Sequence, residues 1–290
     1  MSKADVLFVN MCQDILDNGF SSEGQTVRAR WEDGTPAHTI KRFGVVNRYD
    51  LQEEFPALTL RPTYIKSAVD EMLWIWQRKS NRIADLKSTI WDEWADEDGT
   101  IGKAYGYQMS KQYKFSQGMM DQVDNVLWQL KNTPYSRRIM TNIYNFEDLS
   151  EMNLEPCAYS MTFNVTREVG GGVDGKGGSG RFKLNGILNQ RSQDILAANN
   201  WNVVQYAVLL HMMAQASDMI PGELVHVIAD AHIYDRHQDI VRELIARPQF
   251  PAPKFSLNPE IKNFYDFTVD DIKIENYQKN PQIKDIPIAI

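Results

Sequence analysis

No stretch of this sequence is long and apolar enough to cross a membrane. Hydrophobic residues make up 43% of the 290 positions, yet no run approaches the roughly 18 consecutive apolar residues of a spanning helix. That fraction supplies a buried core instead. Cysteine is also scarce, with Cys12 and Cys157 alone. A chain this long needs no disulfide staple, so both are expected to stay free in a reducing compartment. The first residues do not join a basic segment to an apolar one, and a cytoplasmic location is expected. Basic excess is missing as well. A net charge of -7 and a pI near 5.3 exclude a broad nucleic-acid surface while leaving room for a basic pocket around one small anion. Metal-binding spacing is the last absence. His226, His232 and His237 cluster in sequence but match no common zinc pattern, and no metal is expected.

Composition does not break anywhere, and no long linker interrupts the chain, which predicts one domain over residues 1–290. Its one embellishment is a glycine-rich run at 170–180. Gly170, Gly175 and Lys176 have the spacing of a phosphate loop, but Gly177 stands where a hydroxyl must hold magnesium, and a strand pattern follows instead of a helix. The run reads as a hairpin tip. Helical periodicity predicts helices over 3–17, 63–79 (capped by Thr63), 121–132, 202–217 and 235–246, with Cys12 a packed thiol in the first. Strand patterns cover 55–60, 139–144, 159–165, 181–188 and 222–234, followed by short strands punctuated by proline. Residues 21–39 read as a long polar loop containing Arg28 and Arg30.

The stretch 154–202 holds the densest chemistry. Cys157 is a soft nucleophile, and Arg191 can hold both its thiolate and an anionic substrate. Asp194 and Asn202 suit the polar edge of a ring. Together they predict covalent chemistry on a phosphorylated heterocycle. Elsewhere, Arg137 and Arg138 form a ready phosphate clamp after Ser136. Period two sets Asp230, His232 and Tyr234 on one strand face that wants a polar partner. Glu71, beside Met72, Leu73 and Trp74, either faces solvent or is buried with a partner. Trp91 and Trp94, three apart among acids, mark an edge where a flat ligand could stack. Tyr105 lies in a loop or strand, and the apolar end at Ile290 either frays or closes as a lid.

With these residues in view, the chain resembles the thymidylate synthase family along nearly its whole length. The matching segments include Asp33-Gly-Thr-Pro-Ala-His, Glu71-Met-Leu-Trp, Thr89-Ile-Trp-Asp-Glu-Trp-Ala-Asp-Glu, Ser136-Arg-Arg, Pro156-Cys, Gln190-Arg-Ser-Gln-Asp, Asn202, Asp230-Ala-His-Ile-Tyr and Ile290. The stretch from Asn258 looks most like the enzymes of Bacillus and its phages.

The resemblance implies a single α+β domain with a large mixed sheet flanked by helices, one sheet face forming a homodimer interface. It implies a transferase that methylates deoxyuridylate to thymidylate with 5,10-methylenetetrahydrofolate. Cys157 would add to uracil C6. Arg28, Gln190, Arg191, Ser192, Asp194, Asn202, His232 and Tyr234 would bind the nucleotide, joined across the interface by Arg137 and Arg138. Glu71 and Tyr105 would manage protons, and Trp91, Trp94, Asp194 and Ile290 would contact folate.

Two departures stand out in the active region. Ala158 follows the cysteine where most members carry histidine, and residues 197–201 replace the usual wall before Asn202. A hydroxymethylase, in which water captures the one-carbon intermediate, and a non-catalytic nucleotide-binding protein are the alternatives.

Overall fold

Strand-forming runs spread along the chain assemble into one sheet. The computed structural model describes residues 1–168 and 180–289. The predicted hairpin tip therefore falls almost wholly, and Ile290 entirely, outside the described residues. In chain order the elements are α1 (Lys3–Asn18), β1 (Phe20–Ser21), β2 (Thr39–Asp50), α2 (Ile65–Trp76), α3 (Gly106–Ser110), β3 (Tyr113–Phe115), β4 (Gly118–Met120), α4 (Gln122–Asn132), β5 (Met140–Asn142), β6 (Ala158–Arg167), β7 (Phe182–Gln190), β8 (Gln193–Asp194), α5 (Asn199–Ala216), β9 (Ile220–Tyr234), α6 (Gln238–Ile245), β10 (Lys254–Leu257) and β11 (Ile272–Glu275). Among the described residues the main sheet runs β1-β2-β9-β7-β6-β5, with β8 also on β9. The β7–β9 and β8–β9 pairings are parallel and the rest antiparallel, which makes the sheet mixed.

Helix α5 is the core element. It is buried on nearly every face, packing on α2, β7 and β9, as an all-round apolar helix must. Gly186 of β7 permits the close approach: a Cβ there would lie 2.3 Å from Met161 Cε and 3.0 Å from Leu210 Cδ2. In β2, Arg42 bonds Asp14 and Asn47 bonds Met11, so residues of opposite parity both reach α1. A regular strand cannot do this. Gly44 lies between them at φ 73°, a conformation that favours glycine.

The predicted strand at 55–60 is not one. This segment is buried but pairs with no strand, and side chains from distant elements satisfy its backbone. Asp5 accepts from Thr59 N–H at 2.8 Å, Asn200 accepts from Leu58 N–H at 3.0 Å and donates to Pro56 O at 2.9 Å, and Tyr277 donates to Leu58 O at 2.7 Å. Thr63 does not cap α2. Its hydroxyl goes to Asn200 and the cap position is Tyr64, without a side-chain bond. Helix α5 begins at Asn199, three residues before its apolar periodicity, because Asn199 and Asn200 turn inward to buried partners. Of the two readings of Tyr105 the loop one holds: it is the turn residue immediately before α3.

Candidate active site

Cys157 sits immediately before β6, half-buried. Its N–H donates to the Tyr105 hydroxyl at 3.3 Å, and its carbonyl accepts from Arg191 N–H at 3.0 Å. The Arg191 side chain closes the tie, with Nε on Pro156 O at 3.0 Å and Nη2 on Glu155 O at 2.8 Å. Three hydrogen bonds from Arg191 thus lock the cysteine loop to the end of β7, and a fourth ties it to Tyr105. Burial pushes the thiol above its ordinary value. Arg191 and Arg28 pull it down, and Glu155 adds to the rise. Arg191 therefore acts on the thiol in the sense expected of a residue that holds its thiolate, and desolvation outweighs it.

A cleft of about 390 Å³ opens next to this loop, and its lining includes Arg28, Arg191, Ser192, Asp230, His232 and Tyr234. The strand face at 230–234 therefore meets both arginines. Asp230 accepts from Lys41 Nζ at 2.6 Å and from His232 Nδ1 at 2.9 Å. Burial pushes the Asp230 carboxyl up, but His232 and Lys41 outweigh it and hold it below the usual range. An ionised carboxylate only accepts, so His232 carries its proton on Nδ1 and presents Nε2. Tyr234 packs edge-on against Trp31 and His232. Burial, with Asp194 adding and Arg28 opposing, pushes its hydroxyl up to about 12, so it is a donor at neutral pH.

Asp194 lies deeper. Burial raises its carboxyl, yet His237, the Ala197 N–H at 3.0 Å and His232 bring it below the ordinary value. His237 Nδ1 stands 3.8 Å from Asp194 Oδ1, and its Nε2 donates to Pro287 O at 2.8 Å. Ala289 bridges Trp31. Residues 287–289 are therefore docked beside Trp31 and the His237 that meets Asp194. The three histidines grouped in sequence go separate ways: His226 to Gln190, His232 to Asp230 and His237 to Asp194 and the tail. Among the described residues no group of three or more His, Cys, Asp or Glu side chains could hold a metal.

Behind the cysteine the walls are neutral and tightly filled. Glu71, in the middle of α2, is 5% exposed, so of its two readings the buried one holds. Its partner is the Trp201 indole, which donates to Oε2 at 3.0 Å. Burial raises this carboxyl to about 7, with Gln205, Trp201 and Trp91 limiting the rise. Trp91 is the hub of an aromatic cluster, its ring centroid 5.9 Å from Trp74, 5.7 Å from Trp94 and 5.1 Å from Tyr105. It enters not from an α-helix but just before a single 3₁₀ turn, Asp92–Trp94. Tyr105 holds φ 42°, ψ -102°, a strained conformation for a non-glycine residue at a site where its hydroxyl meets the cysteine loop.

Asn202 belongs to a directed amide chain. Gln205 donates to the backbone carbonyl of Ala68 at 3.0 Å, which can only accept and so sets the polarity of everything before it. Asn202 Nδ2 then donates to Gln205 Oε1 at 3.1 Å, Gln190 Nε2 donates to Asn202 Oδ1 at 3.2 Å, and His226 Nε2 meets Gln190 Oε1. Burial lowers His226 to about 3, so it stays neutral. Sequence reasoning missed Gln193, Gln205, His226 and His237. Gln205 left a signal as the helical i+3 neighbour of Asn202, and His226 left one on the same period-two face as Asp230.

Arg137 and Arg138 are exposed beside β5 and do not line the cleft of their own chain. Arg30 folds onto Val27 O and Ala29 O.

A family model described as thymidylate synthase matches residues 7–289. The chain is 42% identical over 288 residues to a thymidylate synthase of Bacillus subtilis subsp. natto, and 42% identical over 288 residues to one of Bacillus phage phi3T, in both cases covering 98% of each chain. It is 38% identical over 289 residues to a thymidylate synthase of Clostridium beijerinckii, again over 98% of each chain. Among solved structures it is similar to the thermostable thymidylate synthase A from Bacillus subtilis, with a TM-score of 0.88 and 40% identity over 99% of both chains.

Proposed function

The chain belongs to the thymidylate synthase family, and from that premise we propose how its residues convert deoxyuridylate to thymidylate. The observation that carries the reading is the cysteine loop cross-tied to Arg191 beside a cleft with two arginines. Cys157 is the nucleophile. Its thiolate forms a bond to C6 of uracil as the C5–C6 π electrons move toward C5 and the carbonyl oxygen, which makes C5 the attacking carbon. Arg28, Arg191 and Ser192 take the phosphate, a dianion matched to guanidinium forks. His232 and Tyr234 hold the sugar hydroxyl. Asn202, with Gln190 behind it, reads a pyrimidine edge that both donates and accepts, as uracil's does. Glu71, poised near neutrality, and Tyr105 relay protons through water.

The family's cosubstrate is 5,10-methylenetetrahydrofolate, and the residues fit a pterin. Asp194 is an ionised acceptor in a largely buried position, and the Trp91 indole N–H is buried without a partner. Bound there, the folate supplies the one-carbon unit and the hydride. Trp91, Trp94 and Asp194 would hold it, and Ile290 would close over it. No observation favours the hydroxymethylating or non-catalytic alternatives.

We also infer a homodimer. Phe43, Val46, Ile187 and Met140, all on the main sheet, are 91%, 51%, 40% and 45% exposed in the single chain, an apolar face that association would cover. Arg137 and Arg138 would then reach the partner's phosphate. Sedimentation should give a dimer at micromolar concentration, and a fully active monomer would refute this. For the chemistry, Cys157→Ala should lose all thymidylate formation, followed by dihydrofolate absorbance and product mass, while still binding deoxyuridylate. Retained turnover would sink the nucleophile assignment.

A further inference from the structure

Residues 197–201, where the sequence departs from the pattern of the family it resembles, lead into and open α5. The first turn of α5 is fixed before Trp201 is reached. Asn199 Nδ2 donates to Gln193 Oε1 at 2.9 Å, and Asn200 is held by Pro56 O, Leu58 N–H and the Thr63 hydroxyl. Both asparagines are buried. With the two preceding side chains locked to separate elements, the direction in which Trp201 leaves the helix is set without further ordering cost.

That direction ends on Glu71 Oε2, 3.0 Å from the indole nitrogen. Among the described residues this is the one hydrogen bond of good geometry made to the Glu71 carboxylate. Gln205 donates one N–H to Ala68 O and accepts from Asn202 on its oxygen; it also lowers the Glu71 carboxyl but makes no hydrogen bond of good geometry to it. The Trp91 N–H meets no acceptor within hydrogen-bond geometry. An N–H donor favours a carboxylate over its acid, the opposite sense to burial.

We propose that Trp201 is a positioning residue for the reaction: its N–H fixes one oxygen of Glu71, so that the orientation and charge of the proton-relaying carboxylate are governed from α5. The proposal rests on the reading of Glu71 as the proton relay. Other groups facing Glu71 do not compete for the role. Asp70, its neighbour on α2, is turned to Arg78 at 3.0 Å, and Tyr105 and Tyr206 are pushed by burial well above their ordinary values, so they stay neutral. Trp201→Phe keeps the ring and removes the donor.

The test is the pH profile of kcat. In Trp201→Phe the limb governed by Glu71 should move up by about one pH unit, the size expected for losing one donor to a carboxylate, with KM for deoxyuridylate changed less than about twofold. In the unaltered enzyme, one indole ¹⁵N–H resonance should titrate with the same midpoint as that limb, and should stop titrating in Glu71→Gln; this readout stands even where the Phe variant does not fold. An unmoved limb in Trp201→Phe, or no indole signal that follows Glu71, overturns the positioning role. A Glu71→Gln enzyme with normal turnover overturns the relay reading instead, and the two failures are distinct.

Discussion

At the open end of the site, charges meet each other and water: Asp230 takes Lys41 and His232, and Arg28 lies exposed. At the closed end, Glu71, Tyr105, Asn202, Gln190 and His226 are held by neutral donors and rings, and burial moves Glu71 toward neutrality and lowers His226. The same residue types behave differently because the dielectric differs. Charges at the open end can gather a phosphate but are screened. A carboxylate at the closed end feels each single donor strongly, and so can be poised for proton transfer at working pH. Binding is concentrated in one region and proton handling in the other.

Glu71→Gln breaks this division most severely. It should cut kcat by about 10²-fold or more while leaving deoxyuridylate binding, measured by calorimetry, nearly unchanged. A comparable loss of binding would show that the two ends are not separate.

The same variant carries a stability consequence of opposite sign. In the folded chain Glu71 holds its proton up to about 7, against a reference value of 4.5. Between those values the unfolded chain ionises while the folded one does not, so folding stability falls as pH rises through that window and is constant above it. Glu71→Gln removes the penalty. At pH 8 it should be more stable than the unaltered protein by up to about 3 kcal/mol, and the gain should vanish by about pH 4.5 in denaturant titrations.

Arg28→Ala sharpens the comparison from the other side, with the smallest effect. It should raise KM for deoxyuridylate about tenfold, lessen the salt dependence of binding and alter kcat much less. A loss mainly in kcat would mean that this arginine acts on the thiol more than on the phosphate.

What the sequence made legible follows the same boundary. The nucleophile, the arginines and the strand face at 230–234 carry chemistry in their residue types and lie where local periodicity places them. Family resemblance named the rest. The partner of Glu71 was illegible because Trp201 is 130 positions away, and nothing local marks an indole as a hydrogen-bond donor rather than packing. The segment at 55–60 misled for a related reason: its apolar character was real, but its backbone is satisfied by side chains instead of a neighbouring strand. The thiol of Cys157 shows the limit of reading charge without depth, since the nearby arginine was evident and the desolvation was not.

That side-chain-held segment also constrains the order in which the protein can be made. Thr59 O accepts from Asn280, Leu58 O from Tyr277, and Leu60 O from Arg247. This stretch therefore has bonds that close only after residues 187, 219 and 221 positions further along have been synthesised. Long sequence separations of this kind slow the final step of folding. Until then the carbonyls of Leu58, Thr59 and Leu60, in the segment that holds Asn200 of α5, remain open to water, and the nascent chain carries its nucleophile without a finished chamber around it.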